Sequence, residues 1–69
     1  MKIDIKDNIP DELALNLVLK VVKEGKISKG EHGKMYYCWI TVFEVDGIEY
    51  VVNTRQYRKQ DCFLVYKRT

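Results

Sequence analysis

The dipeptide Asp46-Gly47 lies between two runs of aromatic and β-branched residues, and it constrains the fold more than any other feature of the sequence. Asp-Gly is favoured in two-residue type I′ turns, because both turn positions need a positive φ that glycine adopts at no steric cost. The flanking runs, Met35 to Val45 and Ile48 to Arg55, have the composition of β-strands. The sequence therefore predicts a β-hairpin in which Val45 lies opposite Ile48.

A short strand and a helix precede this hairpin. Lys2 to Lys6 alternates polar and apolar residues, which is typical of a strand with one buried face. Pro10 to Glu24 predicts a helix, because Asn8 can accept a hydrogen bond from a free backbone N–H and proline suits the first turn. Gly25 favours the left-handed conformation that ends a helix. Apolar residues cover an arc wider than one sheet face needs, and the excess is covered either by the chain's own strand and loop or by a second copy.

A last strand follows the hairpin. The polar segment Tyr57 to Gln60 predicts a loop, and Asp61 to Lys67 predicts the strand after it. The elements then run in the order β-α-β-β-β within a single domain, residues 1–69. The predicted fold class is α+β with two layers, in which one amphipathic helix packs on a mainly antiparallel sheet.

The hairpin register divides the sheet into two faces. The first face carries large apolar side chains and almost no charge, so we expect it to lie under the helix. It comprises Tyr37, Trp39, Thr41, Phe43, Val45, Ile48, Tyr50, Val52, Phe63, Val65 and Lys67. The second face is half polar but has an aliphatic centre, and apolar patches of several hundred Å² usually mark a contact surface. A change of one residue in the loop before the last strand would exchange that strand's faces.

The second face gives the leading functional hypothesis, a non-enzymatic binding module that contacts a protein partner or a second copy of itself. The residues predicted to make this contact are Tyr36, Ile40, Val42, Val51, Leu64 and Tyr66.

Charge is distributed unevenly along the chain and supports an alternative. Residues 1–49 carry seven lysines against nine carboxylates, a net charge of −2, whereas residues 50–69 carry five basic residues against one carboxylate, a net charge of +4. Basic side chains beside tyrosine suit phosphate contacts and base stacking. The residues predicted for nucleic-acid binding are Arg55, Tyr57, Arg58, Lys59, Lys67 and Arg68. A third alternative is an aromatic-lined pocket for a small ligand.

Catalysis and metal binding find no support in the sequence. His32 is the only histidine, and together with Cys38 and Cys62 it lacks the close paired spacing of a zinc site. A base, a nucleophile and an electrostatic stabiliser cannot be assembled from these residues, so we expect no enzymatic activity, catalytic site, metal site or cofactor. The predicted register places the two cysteines on either side of Arg55, roughly 9.6 Å apart, which is too far for a disulfide.

Two further features concern the environment of the chain. Its apolar runs fall far short of the roughly 20 residues that span a bilayer. Two cysteines are too few for a disulfide framework, which favours a reducing compartment. We therefore expect a cytoplasmic protein without a membrane partner.

The layout of the chain also resembles a known group. The segment from Ile9 to Ser28, followed by Tyr36-Tyr37-Cys38, the Asp46-Gly47 hairpin and Phe63-Leu64-Val65-Tyr66-Lys67, is similar to small orphan proteins encoded by phages and prophages of Gram-positive bacteria. The resemblance implies an accessory protein that binds and inhibits a host factor.

Overall fold

A computed structural model describes residues 2–24, 39–57 and 60–68. Within these ranges the order β-α-β-β-β is confirmed, and the fold is α+β as predicted. The elements are β1 (Lys2–Ile5), α1 (Asp11–Lys23), β2 (Trp39–Val45), β3 (Ile48–Tyr57) and β4 (Gln60–Lys67). The predicted loop from Lys26 to Lys34 and the first part of the predicted hairpin strand, Met35 to Cys38, lie outside the described residues.

The four strands form one sheet in the order β1-β4-β3-β2. β2 pairs with β3 and β3 pairs with β4 in the antiparallel sense, whereas β1 pairs with β4 in the parallel sense. The sheet is therefore mainly antiparallel, with a short parallel strand at one edge and the hairpin strand β2 at the other.

The hairpin has the register that its turn dictates. Asp46 and Gly47 adopt φ values of 52° and 79°, as a type I′ turn requires. Val45 then lies opposite Ile48, and the pairing continues one residue against one residue to the start of β2. The turn residues alone thus fix which side chains of β2 and β3 share a face.

The connection between β3 and β4 is shorter than predicted. β3 continues to Tyr57, which pairs with Gln60, so only Arg58 and Lys59 separate the two strands. The predicted four-residue loop from Tyr57 to Gln60 is wrong in length, because its end residues join the ladder. One loop residue joins each strand, Tyr57 in β3 and Gln60 in β4. The register and the predicted faces of β4 are therefore unchanged.

The helix begins one residue later than predicted and without the predicted cap. Pro10 is the N-cap residue, and no side chain caps the helix. Asn8 is not a helix cap, because Asp7 and Asn8 both have a positive φ, 61° and 56°, and form the turn that leads out of β1. The carboxylate of Asp7 instead accepts a hydrogen bond from the backbone N–H of Lys67 at 3.0 Å, which ties this turn to the end of β4.

The helix covers the first face of the sheet, as its aromatic and β-branched side chains predict. The Nζ atom of Lys20 lies 5.9 Å from the centre of the Phe43 ring, which places this side of the helix toward β2. The core formed between the two layers consists of Ile9, Ala14, Leu17, Val18, Val21, Tyr50, Val52, Phe63 and Val65. In the part of the chain that the structure describes, no helix is long and apolar enough to cross a membrane.

Candidate functional site

The second face of the sheet lies opposite the helix, and we call it the open face. The strand register arranges its side chains in rows that cross the sheet. From β2 to β1, one row is Ile40, Asn53, Leu64 and Asp4, and the next is Arg55, Cys62 and Lys2. On the other side of Ile40, the rows are Val42, Val51 and Tyr66, followed by Glu44 and Glu49. Elements that lie far apart in the sequence thus present one continuous surface.

The centre of the open face is apolar, as predicted. Ile40 is 65% exposed and Val42 is 40% exposed, while Leu64 and Tyr66 are half-buried. Val51 is only 3% exposed, because it sits in the middle of its row between Val42 and Tyr66. Val51 therefore offers little surface for the predicted contact, and its side chain supports the patch from within. Tyr36, also predicted here, lies outside the described residues.

A cleft of about 460 Å³ adjoins this apolar centre, above β1, β4 and β3. Three exposed cationic side chains, Lys2, Lys6 and Arg55, line it together with one carboxylate, Asp4. None of these four charged groups makes an ion pair within the described part of the chain. The cleft therefore has a positive balance and suits a negatively charged group.

The floor of the cleft contains an unpaired polar atom. The side-chain oxygen of Asn53 is buried and has no hydrogen-bond partner in the described part of the chain. A buried acceptor without a donor costs roughly 1–3 kcal/mol, so this oxygen lowers the stability of the fold. Cys62, also in the cleft, is a free thiol whose sulfur lies 3.8 Å from the carbonyl oxygen of Gln60.

The residues predicted for nucleic-acid binding do not come together as a single group. Arg55 lies opposite Cys62, near the start of β4, whereas Lys67 lies at its end, roughly 16 Å away along the strand. Arg68 forms an ion pair with Glu49 at 3.8 Å at that same end. Tyr57 ends β3 on the Arg55 side. Arg58 and Lys59 lie outside the described residues.

Lys2 and Lys6 are the site residues that sequence reasoning missed. The alternation of β1 puts Ile3 toward the helix and therefore both lysines on the other face. Only the parallel pairing of β1 with β4 brings them beside Arg55. The alternation of polar and apolar residues indicates the face on which the two lysines lie, but no local sequence signal indicates which strand lies beside β1.

The helix carries a second apolar surface, and the loop after Gly25 that was one of its two predicted covers lies outside the described residues. Leu15, Leu19 and Val22 are exposed at spacings of four and three, so they form one stripe along the helix. Because Lys20 faces β2, this stripe points away from β2. The described elements leave it uncovered.

In residues 2–24, 39–57 and 60–68, no cluster of three or more His, Cys, Asp or Glu side chains could hold a metal ion. Comparison of the chain with protein-family models, with curated proteins and with solved structures gives no match.

Proposed function

We propose that this protein is a small, non-enzymatic binding module that contacts a protein partner through the open face of its sheet. The observation that carries the proposal is the exposure of Ile40 and Val42 on the face that the helix does not cover. Apolar surface in water is unfavourable by about 25 cal/mol per Å², and contiguous exposed patches commonly mark interaction sites.

The charges around the patch define the kind of partner. Lys2, Lys6 and Arg55 border one end of the patch, and Glu44 borders the other. Interfaces commonly combine an apolar centre with a charged rim that orients the partner. We therefore expect the partner to present an apolar patch with carboxylates on the side that contacts the cleft. Such contact is how an accessory protein that inhibits a host protein would act.

Capture from a lysate of the encoding organism, followed by binding measurements with the purified partner, tests this proposal. The variant Ile40→Ser/Tyr66→Ser removes two side chains of the open face. Leu19→Ser/Ile48→Ser is the matched control, since it makes the same kind of change at exposed positions on the helix side of the molecule. Circular dichroism verifies that both variants fold.

The open-face variant is expected to weaken binding of the purified partner at least about tenfold, equivalent to roughly 1.4 kcal/mol. The control is expected to bind like the wild type. Equal losses in both variants, or no loss in either, would contradict the proposal. Retention that nuclease treatment abolishes would favour nucleic acid as the partner.

Nucleic acid is the second candidate, and the cleft favours it specifically. Lys2, Lys6 and Arg55 surround a cleft of about 460 Å³, and their positive charges suit contacts with phosphate groups. Three phosphate contacts on a single strand predict that affinity falls about 18-fold between 50 and 200 mM salt.

Fluorescence anisotropy with a labelled 15-nucleotide single-stranded DNA measures this salt dependence. Lys2→Gln/Lys6→Gln/Arg55→Gln should abolish the salt-dependent binding, whereas Lys20→Gln/Lys23→Gln, which removes charge from the helix, should retain it. Undetectable binding by the wild-type chain at 50 mM salt would reject this candidate. The small-ligand alternative stays a prediction. It requires aromatic side chains that line an accessible pocket, whereas those of Tyr50 and Phe63 are buried in the core.

A further inference from the structure

The outer edge of β2 lacks the features that protect sheet edges from pairing. Its seven residues, Trp39 to Val45, include no proline, lysine or arginine, and they pair with β3 without a bulge. The opposite edge strand, β1, has only four residues; it begins with the exposed Lys2, and the exposed Lys6 follows it directly. Short length, lysine, proline and bulges are the usual means of blocking edge-to-edge association. Only the β1 edge is protected in this way.

The hydrogen-bonding groups on the β2 edge follow from the ladder. The N–H of Arg68 donates to the carbonyl oxygen of Glu49 at 3.0 Å, so the backbone groups of Glu49 point toward β4. Successive residues of a strand point to opposite sides, so Ile48 points toward β2 and its partner Val45 points toward β3. The residues whose N–H and C=O groups point outward from the sheet are then Ile40, Val42 and Glu44. The described part of the chain offers these outward groups no hydrogen-bond partner.

We infer that the β2 edge pairs with the β2 edge of a second copy, antiparallel and about a two-fold axis at Val42. Val42 then lies opposite Val42 of the second copy, and Ile40 lies opposite Glu44. This register bonds the outward groups of all three residues. A shift by two residues in either direction leaves one of the three without a partner in β2, so the register centred on Val42 forms the most hydrogen bonds.

Charge supports the same arrangement. Within one copy, Glu44 and Glu49 lie directly opposite each other, which is unfavourable for like charges. The antiparallel arrangement carries Glu44 to the end of the second copy's sheet that bears Arg55. The two groups are separated by two strand spacings across the sheet and by two residues along it, roughly 12 Å in all, which slightly exceeds the screening length at 0.1 M salt. Their attraction is therefore weak, and the hydrogen bonds of the paired edges determine the register.

The paired edges would give one continuous eight-stranded sheet. Directly opposed residues share a face, so both helices lie on one side and both open faces lie on the other. The inference goes beyond the proposed function, because the pairing uses the backbone groups of the strand edge, and the rows of the open face then continue from one copy into the other. It doubles the binding surface of the module.

Sedimentation equilibrium of the full chain, from about 10 to 500 µM, tests the association. A contact limited to strand edges is smaller than the roughly 1,200 Å² of a stable interface, so we expect a monomer–dimer equilibrium with a dissociation constant in the micromolar range. Val42→Lys places two lysines opposite each other at the axis, and it should weaken the dimer at least about tenfold. Leu19→Lys, on the exposed helix stripe, is the control and should leave the equilibrium unchanged.

Cross-linking tests the register in a Cys38→Ser/Cys62→Ser background. Val42→Cys brings two thiols together at the axis, within the Cα separation that a disulfide accepts. Ile40→Cys is the matched control on the same strand and face, and its two copies lie four residues out of register. We expect oxidised dimers from Val42→Cys and none from Ile40→Cys.

Three results would overturn the inference. The first is a chain that stays monomeric throughout the concentration range. The second is a dimer that Leu19→Lys weakens and Val42→Lys does not. The third is a dimer in which Val42→Cys does not cross-link preferentially over Ile40→Cys. The second result would assign the dimer contact to the helix stripe. The open face is tested separately by the single variant Tyr66→Ser, because Tyr66 lies on the inner strand β4, away from the β2 edge.

Discussion

Two buried threonine hydroxyl groups lower the stability of the folded protein. Thr54 is 0% exposed and Thr41 is nearly buried, and the hydroxyl of each is buried without a hydrogen-bond partner in the described part of the chain. Threonine suits a strand because of its branched Cβ, and its methyl group packs as valine would. The unpaired hydroxyl, however, loses its hydrogen bonds with water on folding. These positions are where the core is open to improvement.

Thr54→Val is expected to stabilise the protein. It replaces the buried, unpaired hydroxyl by a methyl group of the same shape, so the free energy of unfolding should rise by about 1 kcal/mol. Urea unfolding monitored by circular dichroism measures the change. A loss of stability in Thr54→Val would show that the hydroxyl has a partner, such as a bound water.

Among the elements, the hairpin is specified by its own sequence and the cleft is not. Asp46 and Gly47 fix the turn, the turn fixes the register of β2 and β3, and the register fixes the faces. For this reason the apolar patch of Ile40 and Val42 was predictable. The cleft depends on the parallel pairing of β1 with β4, which joins the two ends of the chain. No turn connects them, so the proximity of Lys2 to Arg55 follows only from the assembled sheet.

Helix ends show a similar limit. The helix, Asp11–Lys23, lies within one residue of the predicted Pro10 to Glu24 at each end, so the first-turn proline was a sound signal for its start. The role of Asn8 was misread, because asparagine serves equally well as a helix cap and in the left-handed conformation. The bond from the Lys67 N–H to Asp7 favours the second role, and it comes from a residue near the other end of the sequence.

Gly47→Ala tests how strongly the turn specifies the hairpin. The new Cβ meets no atom within 4 Å, so any effect comes from the backbone φ of 79° and not from a clash. A positive φ costs a non-glycine residue roughly 1 kcal/mol, and we expect a loss of stability of that size in urea unfolding. An unchanged midpoint would mean that the strand ladder, and not the turn, determines the hairpin.

For the molecule as a whole, the two-layer architecture leaves one sheet face without a helix. A chain of 69 residues buries only about 60% of the surface that it exposes when unfolded, so a single helix covers a single face. The open face, the outer edge of β2 and the exposed helix stripe are the surfaces that remain. Partner binding at the open face and pairing of the β2 edge would bury surface that the chain alone leaves exposed.

The accessibility of the open face is the central claim, and solvent paramagnetic relaxation of methyl groups tests it most directly. A soluble nitroxide is added to isotope-labelled protein, and the relaxation of each methyl signal is measured by NMR. We expect Ile40 and Val42 to relax several-fold faster than the buried Val18 and Val52. The measurement uses dilute protein, because edge pairing would place the Val42 side chain of a second copy beside Val42 and partly cover it. Methyl groups of Ile40 and Val42 that are as protected as those of Val52 would contradict the account.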